Sequence, residues 1–209
     1  MNTLVKICGI TNLRDALFAA ECGADFLGFV FYKKSPRYIE YEATRDIIKE
    51  VRLACGPLRN PPKMIAVCVD PSAAEIEHIQ EQIGIDGIQF CGNEPPGLLA
   101  STRAMRIRTF TLQTLDRIKT YSAEAYLCDA HDPARIGGTG QGYDYSQLAD
   151  IARKVHLIIA GGLTPANVGD VVSRLHPWGV DVSSGVEASP GIKDHAKIQS
   201  FIGAVRNSL

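Results

Sequence analysis

The chain has 209 residues, 45% of them apolar and 22% charged, with 19 glycines and 11 prolines. Those proportions exclude a disordered, collagen-like or coiled-coil chain and leave room for one sizeable core, so residues 1–209 are expected to form a single domain. Twenty-two basic and 23 acidic side chains give a net charge of −1 with no Lys/Arg block, which leaves no electrostatic footprint for nucleic acid or a membrane surface and points to a small-molecule partner.

The N-terminal stretch meets Arg14 and Asp15 before any long apolar run, and no segment approaches the ~20 apolar residues of a membrane span, so a cytoplasmic protein is expected. Short apolar runs then alternate with amphipathic segments. The first run, Leu4 to Cys8, is followed by Asn12 as a helix N-cap and the stripe Leu13, Ala16, Leu17, Ala20. Phe26 to Phe31 and Met64 to Val69 read as the next strands, separated by a Pro-rich stretch at Pro57 to Pro62, and Ser72 to Glu75 forms a capping box. Ile85 to Phe90, Arg106 to Phe110 and Ala125 to Cys128 follow; Glu94 to Gly97 and Thr114 to Tyr121, where periodicity is poor, read as loops or short helices. Leu157 to Ala160 leads through Thr164 and Pro165, a cap with proline at the first helical position, into the stripe Val168, Val171, Val172, Leu175. Val180 to Val182 and the stripe Ile198, Phe201, Ile202, Val205 close the chain.

Strand-plus-helix units repeated eight times without a composition break predict an α/β fold, a single (β/α)8 TIM barrel with its helices outside. An open doubly wound sheet would place a G-x-G-x-x-G turn after the first strand, where this chain reads CGITN. In a barrel, chemistry gathers at the C-terminal ends of the strands.

The six cysteines form no C-x-x-C pair and the five histidines show no ligand spacing, so neither a disulfide framework nor a metal is implied. Strand seven ends in Gly161 and Gly162, and strand eight leads to Ser183, Ser184 and Gly185. Glycine lets the main chain approach an anion closely, and the loops after strands seven and eight are where barrels hold phosphate. A third Gly-rich loop, Gly137 to Gly142, follows strand six. Cys8 ends strand one and Asp129 lies just past strand six. Because strand side chains alternate, Cys8 inward carries Lys6 inward beneath it, and Asp129 inward carries Leu127 inward and turns Tyr126 and Cys128 toward the helices. Taken alone, Cys8 reads as a small buried hydrophobe and Asp129 as a loop carboxylate or helix cap.

KICGIT (Lys6 to Thr11), ADFLGFVFYKKSPRYI (Ala24 to Ile39), LCDA (Leu127 to Ala130), GGTG (Gly137 to Gly140), AGGLTPANV (Ala160 to Val168) and GVDVSSGVEASPGIKD (Gly179 to Asp194) occur in that order. Together they resemble the phosphoribosylanthranilate isomerases of tryptophan biosynthesis. The resemblance implies an Amadori rearrangement of N-(5-phosphoribosyl)anthranilate to 1-(2-carboxyphenylamino)-1-deoxyribulose 5-phosphate, without a cofactor, in a monomer or homodimer. It implies Asp129 as general acid on the ring oxygen and Cys8 as general base at C2′. Arg37, in SPRY, would take the anthranilate carboxylate, and Gly161, Gly162, Ser184 and Gly185 the phosphate; Asp181 would meet either ribose hydroxyls or an internal lysine such as Lys6.

A free thiol near 8.5 and a free Asp near 3.9 are both poorly matched to those tasks. The expectations are that Lys6 stabilises a Cys8 thiolate and that partial burial raises Asp129. The sequence departs from the family at strand four, where Cys91 stands in place of a histidine that helps hold the aromatic part, and in the loop after GGTG, where aromatic character survives at Tyr143 and Tyr145. Two rivals remain. The related sugar-phosphate isomerase of histidine biosynthesis uses a pair of aspartates and has two similar halves with a phosphate loop in each, whereas here the strand-one residue is Cys8 and the first half has no copy of AGGL/SSG. A non-catalytic sugar-phosphate-binding barrel would keep the glycine loops without needing Cys8 and Asp129 together.

Overall fold

The computed structural model describes residues 2–56, 61–129 and 145–208. Eight parallel strands pair in sequence order and close on themselves: β1 (Leu4–Cys8), β2 (Phe26–Val30), β3 (Lys63–Cys68), β4 (Gly87–Phe90), β5 (Met105–Thr111), β6 (Ala125–Asp129), β7 (Leu157–Ala160) and β8 (Gly179–Val182). The expected barrel is therefore the observed one, and closure leaves the eight-stranded sheet without an edge. No helix among the described residues is long and apolar enough to cross a membrane.

Strand tilt turns the pairing register into layers of side chains inside the barrel. Following the register at constant height places Lys6, Ile65, Ile107 and Ile158 in one layer and Gly28, Gln89, Leu127 and Asp181 in the next. Cys8, Val67, Thr109 and Ala160 lie above these and form the floor of the C-terminal mouth. Gly28 leaves room in its layer: a Cβ there would sit 2.9 Å from the Cys8 sulfur and 3.0 Å from Lys6 Nζ, so the lysine amine rises through the gap.

The outward-facing residues alternate with these and pack against the helices. Val5, Ile7, Leu27, Phe29, Ile159 and Val180 are fully buried against stripes such as Ile198, Phe201 and Val205 of α7 (His195–Arg206), and each such large side chain contributes roughly 1.5–3 kcal/mol relative to exposure. The helix starts follow the expected chemistry in two places. The Asn12 side chain accepts from Asp15 N ahead of α1 (Leu13–Glu21), and Ser72 with Glu75 forms the capping box of α3 (Ala73–His78), which follows α2 (Tyr41–Cys55).

The third start is displaced. Thr164 and Pro165 open a turn, and α6 (Val168–Leu175) begins only after Asn167, whose side chain accepts from Thr164 N and donates to Gly162 O. That asparagine ties the turn back to the glycine loop, which delays the helix by one turn. The weakly periodic segments are short elements: α4 (Pro96–Ala100) and a 3-10 run at Leu112–Thr120, with α5 (Ala149–Ala152) after β6. Pro57 to Asn60 of the Pro-rich stretch lie outside the described residues. A feature absent from the expectations is the buried Arg108–Glu94 pair. Arg108 donates to Phe90 O, Gly92 O and Glu94, and Glu94 accepts from Asp70 N and Gly92 N at 3.0 Å. The pair clamps the loop that carries Cys91.

Candidate active site

Arg37, Asp129, Gly161, Gly162, Asp181, Ser184 and Gly185 line one cleft of about 320 Å³ at the C-terminal mouth. The end of β6 and the loops after β2, β7 and β8 thus converge on one hollow. Ser183 lines it too, and its Oγ is buried with no hydrogen-bond partner among the described residues. The sequence places Ser183 in the same turn as Ser184 and Gly185 but gives it no role of its own, because its neighbours carry the same signal. Gly161 and Gly162 adopt φ of 86° and 69°, conformations that favour glycine and bend the chain around the mouth. The Tyr145 hydroxyl donates to Gly161 O at 2.5 Å and so braces that loop. The Gly137 to Gly142 loop and Tyr143 lie outside the described residues.

Cys8 is 8% exposed and packs with Val30 and Val67, with Tyr32 and Cys91 against them. Beneath it, Lys6 Nζ donates to Asp181 Oδ1 at 3.0 Å. The internal lysine expected for Asp181 is its partner, and Asp181 also borders the cleft. Burial alone would lower Lys6, but Asp181 and Cys8 overcome it and hold the ammonium above its usual range.

The expectation that Lys6 favours a Cys8 thiolate holds in direction but not in the net shift. Burial raises its thiol above the usual range; Lys6 and Lys193 pull it down, Asp181 adds to the rise, and burial wins. Lys6 therefore limits the cost of a thiolate without making it the resting form, because its own charge is already shared with Asp181.

Arg37 reaches the cleft but is not a lone fork. Its Nε and Nη2 donate to the two carboxylate oxygens of Glu187 at 2.7 Å each, leaving Nη1 without a partner among the described residues. Glu187 opens β9 (Glu187–Ser189), which pairs with β10 (Ile192–Lys193). Lys193 Nζ donates to Glu187 Oε1 at 2.9 Å. Burial would raise Glu187, but Arg37 and Lys193 outweigh it and hold the carboxyl at about 2. A carboxyl depressed in the folded state stabilises the protein above its unfolded value near 4.5, and that contribution is lost as pH falls toward 2. Urea midpoints measured between pH 6 and pH 3 are expected to fall more steeply for wild type than for Glu187→Gln; equal slopes would show that the pair adds no acid-sensitive stability.

A model of the N-(5′-phosphoribosyl)anthranilate (PRA) isomerase family matches residues 5–204. The chain belongs to that family. It is 40% identical over 209 residues to the N-(5′-phosphoribosyl)anthranilate isomerase of Geobacter sp. (strain M21), covering 98% of both chains. The phosphoribosyl anthranilate isomerase of Thermotoga maritima superposes with a TM-score of 0.88 at 36% identity, over 98% of this chain and 99% of that one. A third relative is a phosphoribosyl anthranilate isomerase solved with reduced 1-(o-carboxyphenylamino)-1-deoxyribulose 5-phosphate. It has a TM-score of 0.85 and 34% identity, covering 98% and 99% of the two chains.

Within the family frame, the strand-four departure has a defined place. Cys91 Sγ accepts from Gln89 Nε2 at 3.3 Å and lies 3.4 Å from Thr109 Oγ1, and burial pushes its thiol to about 11. The position therefore presents a neutral, weakly polar surface beside Val30 and Val67, where an imidazole would offer a titratable donor.

Proposed function

We propose that the protein isomerises N-(5-phosphoribosyl)anthranilate to 1-(2-carboxyphenylamino)-1-deoxyribulose 5-phosphate, in tryptophan biosynthesis, with Asp129 as general acid and Cys8 as general base. The observation that carries this reading is convergence. Asp129, Arg37 and both glycine loops border one cleft, with Cys8 in the floor of the same mouth. Phosphate suits the end of the cleft formed by Gly161, Gly162, Ser184 and Gly185. Arg37 Nη1 suits the anthranilate carboxylate, because Glu187 fixes the plane of the fork without occupying that nitrogen. Val30, Val67, Tyr32 and Cys91 offer an apolar wall for the aromatic ring.

The steps follow from that placement. The carboxylic acid of Asp129 gives its proton to the furanose ring oxygen, the bond from that oxygen to C1′ breaks, and the anthranilate nitrogen lone pair closes an iminium. The Cys8 thiolate then removes the C2′ proton; the C–H electrons form the C1′–C2′ double bond and the iminium electrons return to nitrogen. The resulting enolamine tautomerises to the ketone. Acid and base come from β6 and β1, three strands apart in the ring, so they reach different atoms of one bound sugar.

The test is to form the labile substrate in place from anthranilate and phosphoribosyl pyrophosphate with a separate transferase, then follow its conversion. Substrate loss with appearance of the aminoketose is expected; binding without conversion would return the non-catalytic barrel to favour.

A further inference from the structure

We propose that Lys193, which the sequence motifs did not single out, is a positioning residue for this isomerisation: its buried ammonium fixes the end of β1 that carries Cys8 and, through Glu187, the guanidinium of Arg37. The inference rests on the reading of the active site given above.

The Lys193 side chain is fully buried, and an ammonium has three donors. All three are used. Nζ donates to Cys8 O at 2.6 Å, to Glu187 Oε1 at 2.9 Å and to Ser183 O at 3.3 Å. One atom therefore links the strand carrying the base, the loop after β8 and the residue that holds Arg37. The stem is anchored as well: Lys193 N donates to Asp15 Oδ2 at 2.8 Å, while Asp15 Oδ1 pairs with His195 Nε2 at 2.9 Å. A lysine held at both ends is a fixed strut, and such a strut can hold a site within the tolerance that catalysis demands.

Charge gives the strut a second effect. Arg37 and Lys193 share the single carboxylate of Glu187, so the cluster keeps one positive charge in excess at the edge of the cleft. Burial favours neutralising such an excess. An anionic substrate group on Arg37 does that, and so does a Cys8 thiolate. Among the described residues, the charged and titratable groups facing Cys8 are Lys6 from its own strand, Asp181 from β8, Lys193 from β10, Arg37 and Tyr32 from the loop after β2 and Cys91 just past β4. Lys6 is balanced by Asp181, which leaves Lys193 and Arg37 as the cations not fully compensated.

Two variants separate positioning from mere stabilisation. In Lys193→Met, which keeps the stem and removes the charge, KM is expected to rise about tenfold as Arg37 loses its brace, and the acid limb of the kcat/KM profile to move up by about 0.5 pH units or more as Cys8 loses a neighbouring cation. In Glu187→Gln, KM rises similarly but the acid limb does not move up, because Lys193 remains. Should Lys193→Met melt below the assay temperature, Glu187→Gln decides both arms: a raised KM with an acid limb moved down, as the carboxylate that offsets Lys193 and Arg37 is gone, supports the role, and an unchanged KM and limb overturn it. A wild type that isomerises while Lys193→Met leaves both KM and the acid limb unchanged would overturn the role of Lys193 alone; a wild type that binds without isomerising would overturn the functional reading instead.

Discussion

Asp129→Asn and Cys8→Ser each lower kcat by about two to four decades, the range expected for loss of a general acid or base. Both are near-isosteric, and neither side chain belongs to the apolar belt against the helices, so urea midpoints are expected to stay close to wild type. The two losses differ in kind. Asparagine keeps a polar group at the cleft but has no proton acidic enough to open the furanose, whereas serine keeps the shape of Cys8 and raises the proton affinity far beyond use. The pH profile distinguishes them further. Because burial holds the Cys8 thiol above its ordinary range, kcat/KM is expected to rise with pH through that ionisation, and the rise disappears in Cys8→Ser. Retention of wild-type kcat by either variant under saturating substrate would remove that residue from the chemistry.

Lys6→Met destabilises the fold by about 3–5 kcal/mol, the usual cost of removing one partner from a buried ion pair. Lys6 is 1% exposed and Asp181 9%; without the ammonium, the carboxylate is stranded inside the barrel. The double variant Lys6→Met with Asp181→Asn recovers most of that loss, since no charge is left unpaired. Its rate stays low, because Cys8 has lost the cation beneath it. Denaturant midpoints read the first effect and turnover the second. If the single variant were as stable as wild type, the pair would not be buried in solution as it is here; if the double variant recovered rate together with stability, Lys6 would act on the fold alone.

The barrel was legible in the chain itself. Apolar runs such as Leu4 to Cys8 and Leu157 to Ala160 match β1 and β7 to the residue, and stripes such as Val168, Val171, Val172 mark the helix faces that cover them. Those signals are local, because a strand buried on both faces and a helix buried on one write their periods directly into the sequence. The glycine loops and the pairing of Cys8 with Lys6 on one face were equally readable, since alternation along a strand needs no knowledge of its neighbours.

What only the tertiary structure decided is which charge answers which. Lys6 and Asp181 are 175 residues apart, and Arg37 and Glu187 150, so no spacing rule connects them. Closure of the ring sets β8 beside β1 and carries the hairpin after β8 back under the loop that holds Arg37. The direction of the Cys8 shift was decided there too: one lysine on the same strand argues for a thiolate, but burial and the carboxylate of Asp181 come from the rest of the barrel and outweigh it. Sequence order fixes the elements and their faces because those depend on near neighbours, while long-range electrostatics depends on distances that exist only once the barrel has closed.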